Sequence, residues 1–373
     1  MQDQLHQLGQ AAEAQKNTIE QNRVLPATIA TQLKESGILR LWVSKKQGGQ
    51  ERDIIALMDA IQTLAYYNGS TAWVAAVTGT GSLVSGYLEP SVAMEVFGDT
   101  QAMLGGFAAP VGKAEKVEGG LLVNGRWGWG SGTSHCSTVI GGIMIQGKGD
   151  GRPIPAVALF YPKEVQWYDT WQTNGLKGTA SGDYELKDCF VPDGRWIHFP
   201  VQTAVVDAPL YRVSFYGALS AGVAAVGLGL AKRALDEIKK LGAVKRPVMA
   251  RKTLSEKAFI QFQLAETEAK YQAAKAFLES AARQNYEAAK TDIPPIETKN
   301  LLRMAATHAV MNAAQVVDWC YKIGGGSTIW DSVKLQELQR DMQVVTQHGL
   351  VAPSNNEMIG KVAFGLPFNA WLL

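Results

Sequence analysis

Apolar residues recur at helical spacing through the first part of the chain. Pro26 begins one such segment, which ends near Ser36-Gly37, and a second helical period continues from Ile54 to Ala65. Short turns such as Gly48-Gly49 separate these segments. The pattern predicts an all-α domain over residues 1–98.

Short β-branched and aromatic runs replace the helical pattern in the next part of the chain. They occupy residues 120–125, 137–145 and 156–161, and glycine and proline separate them. Runs of this length between turn residues are typical of strands joined by tight turns. We therefore predict a middle antiparallel β domain over residues 99–205.

Long amphipathic segments return after Pro209, interrupted only near residues 245–247, 291–296 and 324–327. They predict a C-terminal helix-bundle domain over residues 206–373. The order of helices, strands and bundle predicts an α+β fold rather than alternating βαβ units. No G-x-G-x-x-G fingerprint follows a predicted strand, which disfavours a Rossmann nucleotide site.

One bundle segment, residues 213–231, contains no charged residue. Its length raises the question of a membrane span. Glycine, alanine and serine dominate it, however, and its larger apolar residues recur at helical spacing. Small residues let helices approach closely but contribute little transfer free energy in lipid. We predict a buried bundle helix and no membrane association.

Composition and charge narrow the function classes. The 373 residues include 36 Lys+Arg and 34 Asp+Glu, so no basic excess is present to bind nucleic acid. Three widely spaced cysteines indicate neither a disulfide framework nor a cysteine-based zinc site, and no metal site is predicted. The N-terminal residues form a polar helical pattern without the apolar core of a signal peptide. We expect a cytoplasmic protein.

Several motifs occur in an order known from one family. They are residues 35–49 (ESGILRLWVSKKQGG), 125–132 (GRWGWGSG), Trp171 with 175–181 (GLKGTAS) and 190–192 (FVP), Arg251 with 263–265 (QLA), and 324–327 (GGGS) before Arg340-Asp341. Together they resemble the acyl-CoA dehydrogenase superfamily from about residue 20 to residue 365. The resemblance implies an N-terminal helical domain, a middle β domain and a C-terminal four-helix bundle, assembled as a homotetramer.

The resemblance also implies a flavin in the cleft between the β domain and the bundle. Its candidate contacts are Trp129, Ser131, Gly132, Ala109, Pro110, Thr179, Ser181, Arg251, Gly325 and Gly326. Arg251 would face a flavin phosphate, and the glycine turn would approach the cofactor of a neighbouring subunit. If the family resemblance is set aside, the structural alternatives are a surface charge for Arg251 and a helix C-cap and turn for the glycines at 324–326.

Two departures point to a particular branch of this superfamily. Acyl-CoA dehydrogenases carry a catalytic glutamate after the Arg-Asp pair, whereas residues 340–349 contain no Glu and place His348 near that point. The loop at residues 107–114 also lacks the dehydrogenase Ser-Asp pair. Both features resemble the two-component flavin monooxygenases, which include phenol and steroid-phenol hydroxylases, dibenzothiophene monooxygenase and indole oxygenases. This branch uses O2 and FADH2 or FMNH2 supplied by a separate NAD(P)H flavin reductase.

Ser131 and His348 are the candidate catalytic residues within that resemblance. A flavin hydroperoxide survives only while the proton on the neighbouring ring nitrogen is held and water is excluded, which suits a hydroxyl at Ser131. His348 would act as general base on an aromatic substrate or would bind the distal peroxide oxygen. The structural alternatives are an ordinary strand serine and a histidine at a helix end.

The expected substrate pocket is lined by Trp73, Thr78, Phe107 and His135, in addition to Trp129. No Lys or Arg is evident on those segments, which favours a small neutral or weakly acidic aromatic such as a phenol or indole. The structural alternatives to a role in the pocket are a core position for Trp73 and a place in a polar turn for His135. The alternatives are an acyl-CoA dehydrogenase, oxidation of nitrogen or sulfur by the same hydroperoxide, and a non-catalytic assembly protein of the same fold.

Overall fold

The N-terminal part of the chain is helical, as its apolar period predicts. The computed structural model describes residues 1–147, 151–198, 202–369 and 373. Its first helices are α1 (Gln2–Ala14), α2 (Lys16–Asn22), α3 (Ala27–Glu35), α4 (Ile54–Tyr67), α5 (Gly69–Gly81) and α6 (Pro90–Phe97). Asn68 caps α5, because its side-chain oxygen accepts a hydrogen bond from the Thr71 N–H at 2.9 Å. This cap sets the start of the helix that carries Trp73.

The middle of the chain forms one seven-stranded sheet in the order β5-β6-β2-β1-β3-β4-β7. The strands are β1 (Leu104–Val117), β2 (Gly120–Trp127), β3 (Thr138–Ile145), β4 (Ile154–Phe160), β5 (Gln166–Tyr168), β6 (Asp183–Pro192) and β7 (Trp196–Ile197). Neighbouring strands are antiparallel except β1 and β3, which pair in parallel. The predicted antiparallel domain is therefore a mixed sheet.

The parallel pair has a simple cause in the path of the chain. β2 returns beside β1, and residues 128–137 then pass the beginning of β1 and start β3 on its other side, where Leu104 pairs with Thr138. Gly105 permits this passage, since a Cβ atom there would lie 2.8 Å from the backbone of Gly132. The crossing segment, residues 128–137, lies at one end of the sheet.

The C-terminal part is a set of packed helices. They are α7 (Phe215–Val244), α8 (Ala258–Ala289), α9 (Ile296–Gly324), α10 (Lys334–Thr346) and α11 (Asn355–Ala363). α7 packs against α9, α10 and also α4 of the N-terminal part, and α8 lies along α9. A Cβ atom at Gly229 would lie 2.6 Å from the Gln62 carbonyl oxygen, so glycine is required where α7 meets α4.

The uncharged segment predicted to be a buried helix lies largely within α7. By length and composition α7 qualifies as a candidate membrane span, but most of its apolar window is buried inside the protein. One apolar core runs from the N-terminal helices into the C-terminal ones, and a second fills the sheet around Trp127, Phe160 and Tyr184. The structure thus agrees with a buried helix, whereas domain boundaries at 98/99 and 205/206 stay predictions.

Candidate active site

Two loops with left-handed backbone meet at the end of the sheet. The crossing segment contains Trp129 (φ 55°) and Gly132 (φ 74°), and the loop before β6 contains Leu176 and Ala180 (both φ 48°). Left-handed non-glycine residues cost free energy and persist only where their surroundings hold them, often at functional sites. The Gly132 N–H binds the Thr179 carbonyl oxygen at 3.3 Å and joins the two loops.

A chain of hydrogen bonds runs through both loops. The Trp73 indole N–H donates to the Ser131 hydroxyl (3.0 Å), which lies 2.6 Å from the Ser181 hydroxyl. Ser181 lies 2.7 Å from the Thr179 hydroxyl, and that hydroxyl donates to the Leu176 carbonyl at 2.9 Å. All four side chains are buried. The structure therefore brings four of the predicted site residues into one continuous network.

The loop before β6 is fastened to α10. Asp341 accepts a hydrogen bond from the Leu176 N–H at 2.6 Å, and the Arg340 guanidinium donates to the Asn174 carbonyl at 2.9 Å. A Cβ atom at Gly175 would lie 2.2 Å from the Arg340 carbonyl oxygen, so the backbones nearly touch. The same helix therefore holds the Thr179–Ser181 loop and leads to His348.

Asp341 lies where three elements of the site meet. Its second carboxylate oxygen would be 2.4 Å from a Cβ atom at Gly69, at the first residue of α5. Burial and the neighbouring Glu337 carboxylate raise the pKa of Asp341 to about 7. The Leu176 N–H and Lys334 oppose this rise. The Arg-Asp pair served only as a family motif in the sequence, and its contact with Leu176 follows from the fold alone.

His348 follows α10 and faces Trp73. The two rings meet edge to face with centroids 5.3 Å apart. The Leu350 N–H donates to His348 Nδ1 at 3.3 Å, so the neutral imidazole carries its proton on Nε2. Burial and the positive charge of Arg303 lower the pKa of His348 to about 4. The ring is therefore neutral at physiological pH and offers an N–H donor.

Arg303 is a buried cation that sequence reasoning did not single out. Its guanidinium donates to the Leu350 carbonyl (2.9 Å), to the Asn355 side chain (2.6 Å) and to the Ser220 hydroxyl. Among the residues that the structure describes, no carboxylate forms an ion pair with it, and burial lowers its pKa to about 10. Arg303 thus fixes the turn after His348 by hydrogen bonds to that turn and adds an uncompensated charge.

Trp129 and Phe107 form an aromatic surface beside the network. Their rings lie 5.5 Å apart, and the Trp129 side chain is 63% exposed although its backbone is held in the left-handed region. Ala109 and Pro110 lie in β1, where the pairing with β3 shifts register around Pro110. Thr78 is buried, and its hydroxyl donates to the Leu104 carbonyl at 2.8 Å.

His135 is held away from the network by a backbone contact. Its Nε2 lies 2.7 Å from the Leu25 carbonyl oxygen, which ties the crossing segment to the turn before α3. This contact matches the polar-turn interpretation of the sequence. Within the described ranges of the chain, no hydrogen bond or ring contact joins His135 to Trp73, Ser131 or His348, so its predicted role in substrate binding stays a prediction.

The predicted phosphate-binding residues lie in another part of the protomer. Arg251 is exposed between α7 and α8. Gly325 has φ 56°, and the Lys245 ammonium beside it donates to the Ser327 hydroxyl at 2.8 Å. A Cβ atom at Gly326 would meet nothing within 4 Å. In the described part of the chain, no hydrogen bond or ion pair joins these residues to Ser131.

Comparisons with known proteins bear on the family and the fold of the chain. The family model "Acyl-CoA dehydrogenase, C-terminal domain" matches residues 221–353. The indole-3-acetate monooxygenase of Pseudomonas putida is 28% identical over 94% of this chain and 90% of that protein. The flavin-dependent monooxygenase oxygenase subunit HsaA of Rhodococcus jostii is also 28% identical, over 92% of this chain and 93% of its own. XiaF from Streptomyces sp., solved with FADH2 and glycerol, superimposes with a TM-score of 0.92 at 25% identity, covering 98% and 95% of the two chains.

The chain belongs to the two-component flavin monooxygenases with the acyl-CoA dehydrogenase fold. The predicted family, fold class and enzyme class are thereby confirmed. As a member of this family, the protein is an oxygenase component that uses reduced flavin. A two-component system of this kind implies a flavin reductase as partner.

The residues of this oxygenase component suit a planar flavin ring. Trp129 supplies an exposed aromatic face, and the Ser131 oxygen retains a lone pair beside it. Gly132 adds no side chain beside them, and its left-handed backbone (φ 74°) favours glycine at this position. The motif GRWGWGSG located these residues in the sequence, whereas Asp341 and Arg303 could be found only from the three-dimensional contacts.

Proposed function

We propose that this oxygenase component hydroxylates a small aromatic compound, a phenol or an indole, with Ser131 and His348 as its catalytic residues. The convergence of Ser131 and His348 on the Trp73 indole carries the proposal. Ser131 accepts a hydrogen bond from the indole N–H, and the His348 ring meets the indole ring edge to face. A reacting group placed beside Trp73 would therefore lie near both side chains.

Reduced flavin, when bound, activates dioxygen so that one oxygen atom is transferred to the substrate. In our proposal Trp129 and Phe107 cover the flavin ring, and Ser131 binds the N–H of the ring. Thr179, Ser181, Ala109, Pro110 and Gly132 complete that cradle. Arg251, Gly325 and Gly326 favour FAD over FMN, because they would hold the longer phosphate portion.

His348 acts as a hydrogen-bond donor in this proposal rather than as a base. Its Nδ1 accepts the Leu350 N–H, which places the proton of the neutral ring on Nε2. A general base at Nε2 would need the other tautomer and the loss of that backbone hydrogen bond. We infer that His348 Nε2 donates to an oxygen atom at the reaction centre and so helps to orient it.

The surroundings of the network favour a neutral substrate. Trp73, Phe107 and Trp129 offer apolar faces, and His348 is uncharged above about pH 5. Arg303 is bonded to the backbone and side chains behind His348 and is 2% exposed, so it is not free to pair with a carboxylate. The name of one relative also points to an indole compound.

A homotetramer remains part of the proposal. Val248 and Met249, in the turn after α7, are almost fully exposed, and Phe259 and Phe262 on α8 and Trp330 before α10 are more than half exposed. Apolar residues at this density on one chain favour burial against further copies. Neighbouring subunits would then bring Arg251 and the glycine turn to one another's flavin.

The test is turnover with a flavin reductase, NADH, FAD and 18O2, with phenols and indole offered as substrates. We expect an 18O-labelled product. His348→Ala should lower turnover about a hundredfold, whereas His348→Gln, which keeps an N–H donor but has no basic nitrogen, should retain much more activity. An equal loss of turnover in His348→Ala and His348→Gln would favour a general-base role of His348 over a hydrogen-bond donor role. His308→Ala, at an exposed histidine of α9, is the matched control, and unchanged turnover of His348→Ala would remove the residue from the mechanism.

A further inference from the structure

The hydrogen-bond chain through Ser131 has a fixed direction. An indole N–H can only donate and a carbonyl oxygen can only accept, so the Trp73 and Leu176 ends are set by chemistry. Each hydroxyl between them has one proton to give. The four bonds form together only if protons point from Trp73 to Ser131, then to Ser181, Thr179 and the Leu176 carbonyl.

This direction decides what Ser131 can offer to a ligand. Its proton is given to Ser181, and one lone pair accepts the Trp73 N–H. A hydroxyl oxygen has a second lone pair, which stays available. Ser131 is therefore an acceptor toward any new partner, although an isolated serine would be both donor and acceptor.

We propose that this directed chain, in which Thr179 is the last hydroxyl before the Leu176 carbonyl, makes the site select the reduced form of the flavin. The inference rests on the proposed placement of the flavin ring at Ser131. Reduced flavin carries an N–H at the ring nitrogen where oxidised flavin has only a lone pair. The free lone pair of Ser131 can accept a hydrogen bond from the N–H of reduced flavin, but it would face the nitrogen lone pair of oxidised flavin and repel it. Thr179 and Ser181 are thus residues that determine specificity for the redox state.

Binding of oxidised flavin would require the chain to reverse. Ser131 would turn its proton to the ring, Ser181 would donate to Ser131, and Thr179 would donate to Ser181. The Leu176 carbonyl would then lose the Thr179 hydroxyl but keep the Thr179 N–H and the Trp171 indole N–H, both at 3.2 Å. Reversal therefore costs one buried hydrogen bond, which corresponds to a preference of about two- to tenfold for reduced flavin.

The test compares dissociation constants for oxidised FAD and dithionite-reduced FAD under anaerobic conditions. Thr179→Val removes the end of the chain at nearly constant volume, so Ser181 no longer has an acceptor there and can donate to Ser131. We expect the preference for reduced FAD to fall about two- to tenfold, mainly because oxidised FAD binds more tightly. Thr179→Ser keeps the hydroxyl and should keep the wild-type ratio. Thr267→Val is the matched control, since Thr267 also donates to a backbone carbonyl but lies on α8.

Ser181→Ala provides a second route to the same result if Thr179→Val fails to fold. It removes the acceptor of the Ser131 proton and should shift the ratio in the same direction. An unchanged ratio in folded Thr179→Val and Ser181→Ala would overturn the inference. Failure of the wild-type protein to bind either form of FAD or FMN would instead refute the placement of the flavin. Loss of affinity for both forms in equal measure would also overturn the role in redox selection.

Discussion

Replacement of Asp341 by asparagine removes a titrating group from the junction of α10, α5 and the loop before β6. The side-chain oxygen that accepts the Leu176 N–H is kept in Asp341→Asn, so the loop remains attached. The groups that face the carboxyl are the Glu337 and Glu20 carboxylates and the Lys334 ammonium. The substitution removes the charge at residue 341 and replaces the second carboxylate oxygen, which lies beside Gly69, by an amide NH2 group.

The expected effect on stability depends on pH. The pKa of Asp341 is raised from 3.8 to about 7 in the folded protein. Between these two values the folded protein keeps a proton that the unfolded chain has released, so this stabilising contribution is complete below pH 3.8 and is lost as pH rises through 7. From pH 5 to pH 8 the wild-type protein should lose at most about 3 kcal/mol relative to Asp341→Asn, because Glu337 shares part of the effect.

The assay is urea unfolding followed by circular dichroism at pH 5 and pH 8. Asp341→Asn should gain stability over the wild type on going to pH 8. Asp341→Ala should in addition lose about 1–3 kcal/mol at both pH values, because the buried Leu176 N–H is left without an acceptor. Asp331→Asn, at an exposed carboxylate, is the control for a general effect of net charge.

A difference between wild type and Asp341→Asn that is the same at pH 5 and pH 8 would refute this reasoning. It would mean that the carboxyl has the same charge at both pH values in the folded protein. Equal stability of Asp341→Ala and Asp341→Asn would show that the hydrogen bond to Leu176 contributes nothing.

Two further predictions concern His348. Arg303→Met removes the positive charge that helps to lower the pKa of His348, so this pKa should rise. An NMR titration of the imidazole would detect the rise. An unchanged pKa would mean that burial alone lowers it. Because the pKa of His348 is about 4, turnover should show no inflection from this residue between pH 6 and pH 8, whereas stability should fall as pH drops from 6.5 toward 4. A pH-rate inflection near 6.5 that His348→Gln abolishes would contradict the second prediction.

The order of helices, sheet and bundle followed from periodicity, since each part has its own hydrophobic repeat. The parallel pairing of β1 with β3 did not follow from periodicity, because it depends on the point at which residues 128–137 pass the beginning of β1. Side-chain alternation is the same in either direction of pairing. The sequence therefore predicts the strands but not this exception to the antiparallel pattern.

The candidate site divides in a similar way. Trp73, Ser131 and His348 were predicted as site residues, and in the structure both Ser131 and His348 contact Trp73, although Ser131 and His348 are 217 positions apart in the sequence. The direction of the hydroxyl chain depends on its two ends, and no local pattern joins Leu176 to Trp73. Arg303 was missed because the helical pattern of the sequence does not distinguish a buried arginine from one on the surface of the same helix.

The left-handed residues of the loop before β6 have a consequence for protein engineering. Glycine at Ala180 would relieve backbone strain of about 1 kcal/mol, so a search for thermostable variants guided by backbone conformation would select it. Glycine at Leu176 would instead lose a buried core side chain, at a cost of about 2–5 kcal/mol. The replacement at Ala180 would also widen the conformational freedom of the segment that holds Ser181 beside Ser131. A gain in melting temperature at this position would therefore come with a less rigid hydroxyl network.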